Sequence, residues 1–308
     1  MSLKNSFTFI QPPPLQPQQK VGIVSIAGRV QAAKVERAIR TFESWGLQVV
    51  LGRHVFEEYH SFAGTDAQRL SDLQAMINDP DIAAIVSSRG GYGTSRIIDR
   101  LDFTPLLRKP RWLVGFSDVT VLHSHLHCLG LESLHAAMPV SFNYEGAEPS
   151  IESLRKVLFG ENVLYQVDPS PMNRTGEASG TLFGGNLSLL VHLLGTPSEV
   201  DTTGKILFLE DISEYLYHLD RMMVQLKRAG KLAGLAGLVV GQMTDVIDKP
   251  GDIPFGKTPW EIIAEAVAEY KYPVCFHFPV GHEALNYALP CGRTAHLKVS
   301  ESGVMLDF

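Results

Sequence analysis

Cysteine is scarce. There are three, Cys128, Cys275 and Cys291, and no two form a C-x-x-C pair. That spacing supports neither a disulfide framework nor a cysteine-based zinc site. No apolar run approaches the roughly 18 residues that read as a membrane helix. The opening MSLKNSFTFIQPPPLQPQQ has no apolar core of the kind a secretory signal carries. Clustered Lys and Arg are also missing, and the net charge is −6, which argues against a nucleic-acid footprint. These absences predict a soluble, reduced, cytoplasmic protein that engages neither membrane nor nucleic acid.

What is present is a core and an alternation. Apolar residues make up 45% of the 308 positions, enough for one large α/β domain or two ordinary ones. Residues 1–19, rich in Pro and Gln, read as an extended arm. Strand runs then alternate with helical periodicity: VGIVSIA (21–27), a helix over 31–46, LQVVLG (47–52), a helix over 65–79, DIAAIVSS (81–88) and RWLVGF (111–116). That order predicts parallel βαβ units. After a helix at 150–160 comes a stretch with turn residues and short strands, in which Asp168 to Gly176 reads as a linker. KILFLE (205–210), a helix over 214–230, LAGLVVG (235–241), a helix over 258–270 and PVCFHFPVG (273–281) follow, then short strands. The predicted fold is α/β, an open parallel sheet of the Rossmann or flavodoxin kind over 20–165. A smaller mixed α+β domain is predicted over 166–308.

Ligands of open parallel sheets sit beyond the carboxyl ends of the strands. Four loops lie there: RGGYG, GFSD, LEDISE and GHEALN. RGGYG matches neither the dinucleotide fingerprint nor a P-loop, because position 96 is Arg96 and no G-K-[ST] occurs. It fits a tight turn, or backbone N–H groups of Gly90 or Gly91 forming half of an oxyanion hole. Ser117 follows a strand and precedes a helix, like the serine of a G-x-S-x-G elbow, but Val119 stands where the second glycine belongs. On this motif alone, Ser117 or Asp118 capping the helix is the better reading. The histidines of HSHLH, His123, His125 and His127, have no glutamate partner of the H-E-x-x-H type and read as packing residues. His135, His192 and His296, within apolar runs, read the same way. His282 follows a strand in a loop, where a functional side chain is presented. Asp211, Ser213 and Glu214 fit the start of a helix. Glu210 does not, since a carboxylate ending an apolar strand is costly unless paired.

Five blocks, SSRGGYGTSRIIDRLDF, GFSDVTVLH, GTLFGGNLSLL, LFLEDISEYLYHLDRMMVQL and VGHEALNYALPCGRTAHL, occur in this order. Together they resemble the LD-carboxypeptidase family of serine peptidases over residues 20–300. The resemblance implies a catalytic Ser117, Glu210 and His282. It also implies oxyanion N–H groups on Gly91 and Asp118, with the cap role falling to Asp118. It further implies two α/β domains with the site in the cleft between them, a murein tetrapeptide ending in D-Ala as substrate, no metal or other cofactor, and a homodimer. Arg89, Arg96 and Asn186 are candidates for holding the substrate's terminal carboxylate. Immunity-type relatives cleave peptidyl nucleotide antibiotics, for which Trp260 and Tyr217 would be base platforms. Two such domains also suit a binding protein without catalysis, although a binder has no use for the serine, acid and histidine together.

Overall fold

The computed structural model describes residues 9–251 and 253–308, so the first eight residues of the expected arm lie outside it. Two sheets form the frame. The first contains β1 (Lys20–Val24), β2 (Gln48–Leu51), β3 (Ile82–Ser87), β4 (Trp112–Gly115) and β5 (Ser133–His135). Between them run α1 (Glu36–Ser44), α2 (Asp66–Asn78), α3 (Thr104–Arg108) and α4 (Thr120–Cys128). The strands are parallel in the order β2-β1-β3-β4-β5, the doubly wound order of flavodoxin-like sheets. The direction of winding reverses between β1 and β3, which opens a crevice at their carboxyl ends.

α5 (Glu148–Leu158) leads into the second unit. This consists of β6 (Leu164–Val167), β7 (Gly176–Asn186), α6 (Leu187–His192), β8 (Lys205–Ile212), α7 (Leu216–Arg228), β9 (Gly237–Thr244), α8 (Pro259–Ala266), β10 (Val274–Cys275), β11 (Leu289–Cys291), β12 (Thr294–Ser300) and β13 (Gly303–Asp307). Its sheet runs β10-β9-β8-β7-β12-β13-β6, with the first four strands parallel and the rest antiparallel. β8 is buried along nearly its whole length, as a parallel strand covered on both faces must be. Local chemistry starts the helices where the sequence places them. Thr65 with Gln68, and Thr258 with Glu261, close capping boxes that satisfy the first free N–H groups of α2 and α8.

Three details differ from the sequence reading. GEASGTLFGGN is one long strand, β7, because it pairs on both edges, with β12 and with β8. PVCFHFPVG is a strand for two residues only. The chain then leaves the ladder at His277, which has φ +62, and keeps two bonds to β9, Phe278 N–H to Val240 O at 3.0 Å and Gln242 N–H to Val280 O at 2.9 Å. The turn-rich stretch near Asp168 joins β6 to β7 inside the second sheet, and the boundary at 165/166 falls within β6.

The units interlock. β11 crosses back to pair antiparallel with β5, so the first sheet gains a strand from the C-terminal half. From residue 9 the N-terminal stretch packs on the first unit, with Ile10 bridged to Leu131 and Trp112 Nε1–H donating to Pro13 O at 3.1 Å. Among the described residues, no helix is long and apolar enough to cross a membrane.

Candidate active site

Ser117 sits where β4 ends, in a short 3-10 turn over Ser117–Val119 that runs into α4. Its φ is +63°, the left-handed region that costs a residue with a Cβ about 1–2 kcal/mol. Such strain persists only where the surroundings hold it. His123 does part of this, reaching back from α4 to Gly115 O at 2.8 Å with Nε2, while Nδ1 meets Ser133 Oγ at 2.8 Å. Burial lowers the pKa of His123 to about 4, so its ring is neutral. A neutral ring fits Nε2–H donating to the carbonyl and Nδ1 accepting the hydroxyl. The missing second glycine is explained by the same turn. Gly115 has φ +159, and a Cβ there would lie 2.8 Å from Val119 Cγ2. The space is conceded at 115, so position 119 can carry a side chain.

The glycine-rich loop after β3 lies against this serine. A Cβ on Gly90 would meet Ser117 Cβ at 2.8 Å and Oγ at 2.9 Å, with Asp118 N at 3.5 Å, so a side chain is excluded. Gly91 has φ +117, and among the described residues its N–H donates to no backbone carbonyl. Gly90 O is occupied by Gly28 N–H at 3.1 Å. The loop is clamped on its far side. The Asp118 carboxylate accepts Thr94 N–H at 2.8 Å, and the buried Arg69 guanidinium donates to Gly93 O at 3.0 Å and Ile26 O at 2.7 Å. Asp118 therefore caps no helix. The turn begins at Phe116 without a side-chain cap, because the Asp118 carboxylate is turned to the loop. Burial raises the pKa of Asp118, partly offset by the Thr94 bond and the charge of Arg69.

β8 delivers Glu210 to its carboxyl end with no exposed surface. Its Oε2 lies 2.7 Å from His282 Nδ1, while Oε1 has no hydrogen-bond partner among the described residues. Burial opposes a charge on His282, but the attraction and hydrogen bond of Glu210, helped by Asp211, outweigh it and raise the imidazole pKa. The Phe116 ring meets the His282 ring edge-on, centroids 4.9 Å apart. Ser117 and His282 face one cavity of about 100 Å³, which Arg89, Gly90, Gly91, Met138, Ser141 and Tyr144 also line. With Nδ1 held by Glu210, Nε2 is the nitrogen left for chemistry.

Asp211 is not a cap of α7, whose first turn follows Tyr215. It accepts Asn186 Nδ2–H at 2.8 Å and Ser188 N–H at 3.0 Å, which ties β8 to the start of α6. Burial first, and then repulsion by Glu210, push its pKa up to about 7.

The other sequence candidates separate. Arg89 is exposed at the cavity and donates to Arg29 O at 3.1 Å. Arg96 pairs with Asp66 at 2.9 Å, away from the cavity lining. Asn186 is buried and caps α6 through Leu189 N–H. Trp260 packs on His277 and Tyr217 on His218, neither in the cavity lining. His125 meets Ser198 Oγ at 3.0 Å, and His127 lies between Phe9 and Phe183, so the three histidines of α4 diverge to different partners. Sequence reading passed over Phe116, Tyr144, Arg69 and the Thr94–Asp118 bond. Only a charged residue on the apolar side of α2 signalled any of these.

Comparison with known proteins gives the family of the chain. Residues 21–136 match the family model of the LD-carboxypeptidase N-terminal domain, and residues 179–297 that of the C-terminal domain. The probable murein peptide carboxypeptidase of Bacillus subtilis is 33% identical, over 96% of this chain and 94% of its own. The murein tetrapeptide carboxypeptidase of Pseudomonas aeruginosa is 34% identical over 91% and 93%. The crystal structure of muramoyltetrapeptide carboxypeptidase from Oxalobacter formigenes superposes with a TM-score of 0.84 at 29% identity, covering 94% of this chain and 98% of that one.

Proposed function

The chain belongs to the LD-carboxypeptidase family, and on that premise we propose that it releases terminal D-alanine from murein tetrapeptides by serine catalysis. Ser117 is the nucleophile, His282 the base and Glu210 its orienting acid. The observation that carries this reading is the buried Glu210–His282 bond of 2.7 Å beside a cavity that also holds the strained Ser117.

His282 Nε2 takes the proton of Ser117 Oγ as that oxygen attacks the amide carbonyl. Glu210 keeps Nε2 as the free nitrogen and stabilises the imidazolium. The carbonyl electrons move to oxygen, and the resulting oxyanion is held by the N–H groups of Gly91 and Asp118. When the intermediate collapses, the C–N bond breaks and His282 gives its proton to the leaving amine. D-Alanine departs and Ser117 is left as an ester. His282 then takes a proton from water, which attacks the ester; the shortened peptide leaves as its carboxylic acid and Ser117 regains its hydrogen. Arg89, charged and exposed at the cavity, is the residue suited to hold the substrate's terminal carboxylate.

Ser117→Ala should release no D-alanine from purified murein tetrapeptide. Retained turnover would remove the serine from the mechanism. A peptidyl nucleotide assayed beside the tetrapeptide tests the substrate, since faster cleavage of the nucleotide would reassign it. A cytoplasmic homodimer belongs to the same proposal, and light scattering of the purified chain reads its mass.

A further inference from the structure

The cavity that Ser117 and His282 face is small, and part of its wall is apolar. Its volume is about 100 Å³, roughly three times the share of one water molecule in the liquid. Pockets that enclose a whole drug-sized ligand run to about 300–1,000 Å³. One small residue of a substrate therefore fits inside, and the rest of a peptide stays outside. Phe116, Met138 and Val140 supply the apolar lining. Met138 is buried and belongs with Phe116 to one core cluster, while Val140 is half-buried. Ser141 also lines the cavity, but its hydroxyl donates to Met138 O at 2.8 Å and accepts Met138 N–H at 3.0 Å. Its proton is thus not offered to a ligand.

The turn that carries these residues is fixed in place. Val140 N–H donates to Ser88 O at 3.2 Å, and Ser88 directly precedes Arg89. The Asn143 side-chain amide donates to Val140 O at 3.2 Å and to Lys34 O at 2.8 Å. The apolar wall is therefore tied to the stretch that carries Arg89, and both line the same cavity.

We propose that Met138 and Val140 determine specificity for the leaving residue of the substrate. With its carboxylate on Arg89 and its amide at Ser117, the terminal residue lays its side chain against Met138 and Val140. The volume there admits a methyl and little more, so the wall selects D-alanine over D-residues with longer side chains. A hydrophobic pocket discriminates by fit, at about 10–200-fold for one methylene. The proposal rests on the serine mechanism and on Arg89 as the partner of the terminal carboxylate.

The test compares kcat/KM for two tetrapeptides that differ only in ending with D-alanine or D-leucine. The unaltered enzyme should prefer D-alanine by about tenfold or more. Val140→Ala and Met138→Ala should each shift that ratio toward D-leucine by about tenfold or more. A ratio that stays put in both variants, or equal cleavage of the two peptides by the unaltered enzyme, would overturn the proposal. If the variants fail to fold, product inhibition of the unaltered enzyme reads the same wall. Free D-alanine should then inhibit at lower concentration than free D-leucine, and equal inhibition counts against the wall. Release of no D-alanine by the unaltered enzyme would instead sink the proposed reaction itself, which keeps the two readings apart.

Discussion

Glu210 and Asp211 are adjacent carboxylates with opposite behaviour, and the difference comes from their partners. Glu210 faces an imidazole, and removing its charge leaves burial as the main influence on His282. In Glu210→Gln the His282 pKa should therefore fall, and the acid limb of the kcat/KM profile should move to lower pH. kcat itself should drop on the order of 10³–10⁴-fold, the scale seen when a triad's orienting acid loses its charge. Asp211 faces amides and another carboxylate, and its pKa is raised to about 7 from an ordinary 3.8. The folded protein thus binds that proton more tightly than the unfolded chain does. Its contribution to stability is largest below the unfolded value and declines as pH rises through the folded one. Melting curves of Asp211→Asn should lose that decline between pH of about 4 and 7. Arg89→Ala should raise KM for the tetrapeptide more than it lowers kcat, because a group binding the substrate's carboxylate acts in ground and transition states alike. Glu210 was legible in the sequence as an acid without a structural use. The burial that gives Asp211 its raised pKa was not, because it depends on α6 packing over β8.

At the scale of elements, the site depends on close approach rather than on side chains alone. The loop over residues 89–93 touches the serine through backbone, and Gly90 is the point of contact. A methyl at position 90 would lie 2.8–2.9 Å from the Ser117 side chain, nearer than real Cβ contacts come. Gly90→Ala should displace the loop and lower kcat by about two orders of magnitude, with little change in the melting transition. Steady-state kinetics beside a thermal melt would check both halves. Glycine clustering marked this loop in the sequence. Its clamps, Arg69 on Gly93 and Asp118 on Thr94, lie 24 residues away along the chain in each case, where neither periodicity nor spacing points to a partner. The Ser117 elbow shows the same limit. Its missing second glycine weakened the motif, yet the turn is made all the same, because Gly115 concedes the space that Val119 fills.

At the scale of the whole molecule, one strand is shared between the halves. β11 completes the first sheet from the C-terminal side, and Glu132, beside β5, pairs with Arg293 at 2.9 Å. The first sheet takes its sixth strand from the second half, so calorimetry should record one unfolding transition, with calorimetric and van't Hoff enthalpies in agreement. Two resolved transitions would mean that the shared strand does not couple them. The amino-acid order by itself determined the α/β class, the alternation of strands and helices, and the four strand-end loops that carry the candidate residues. Those features arise from apolar periodicity and turn residues, which act over a few positions. Only the tertiary structure decided that β11 returns to the first sheet, that the apolar run after residue 273 leaves its ladder, and that Asp118 braces a loop instead of capping a helix. It alone brought Asn286 Oδ1 to the Gly281 N–H, beside His282. Each of these depends on burial and, Asn286 apart, on partners distant in the chain, and no local pattern encodes which buried groups will meet.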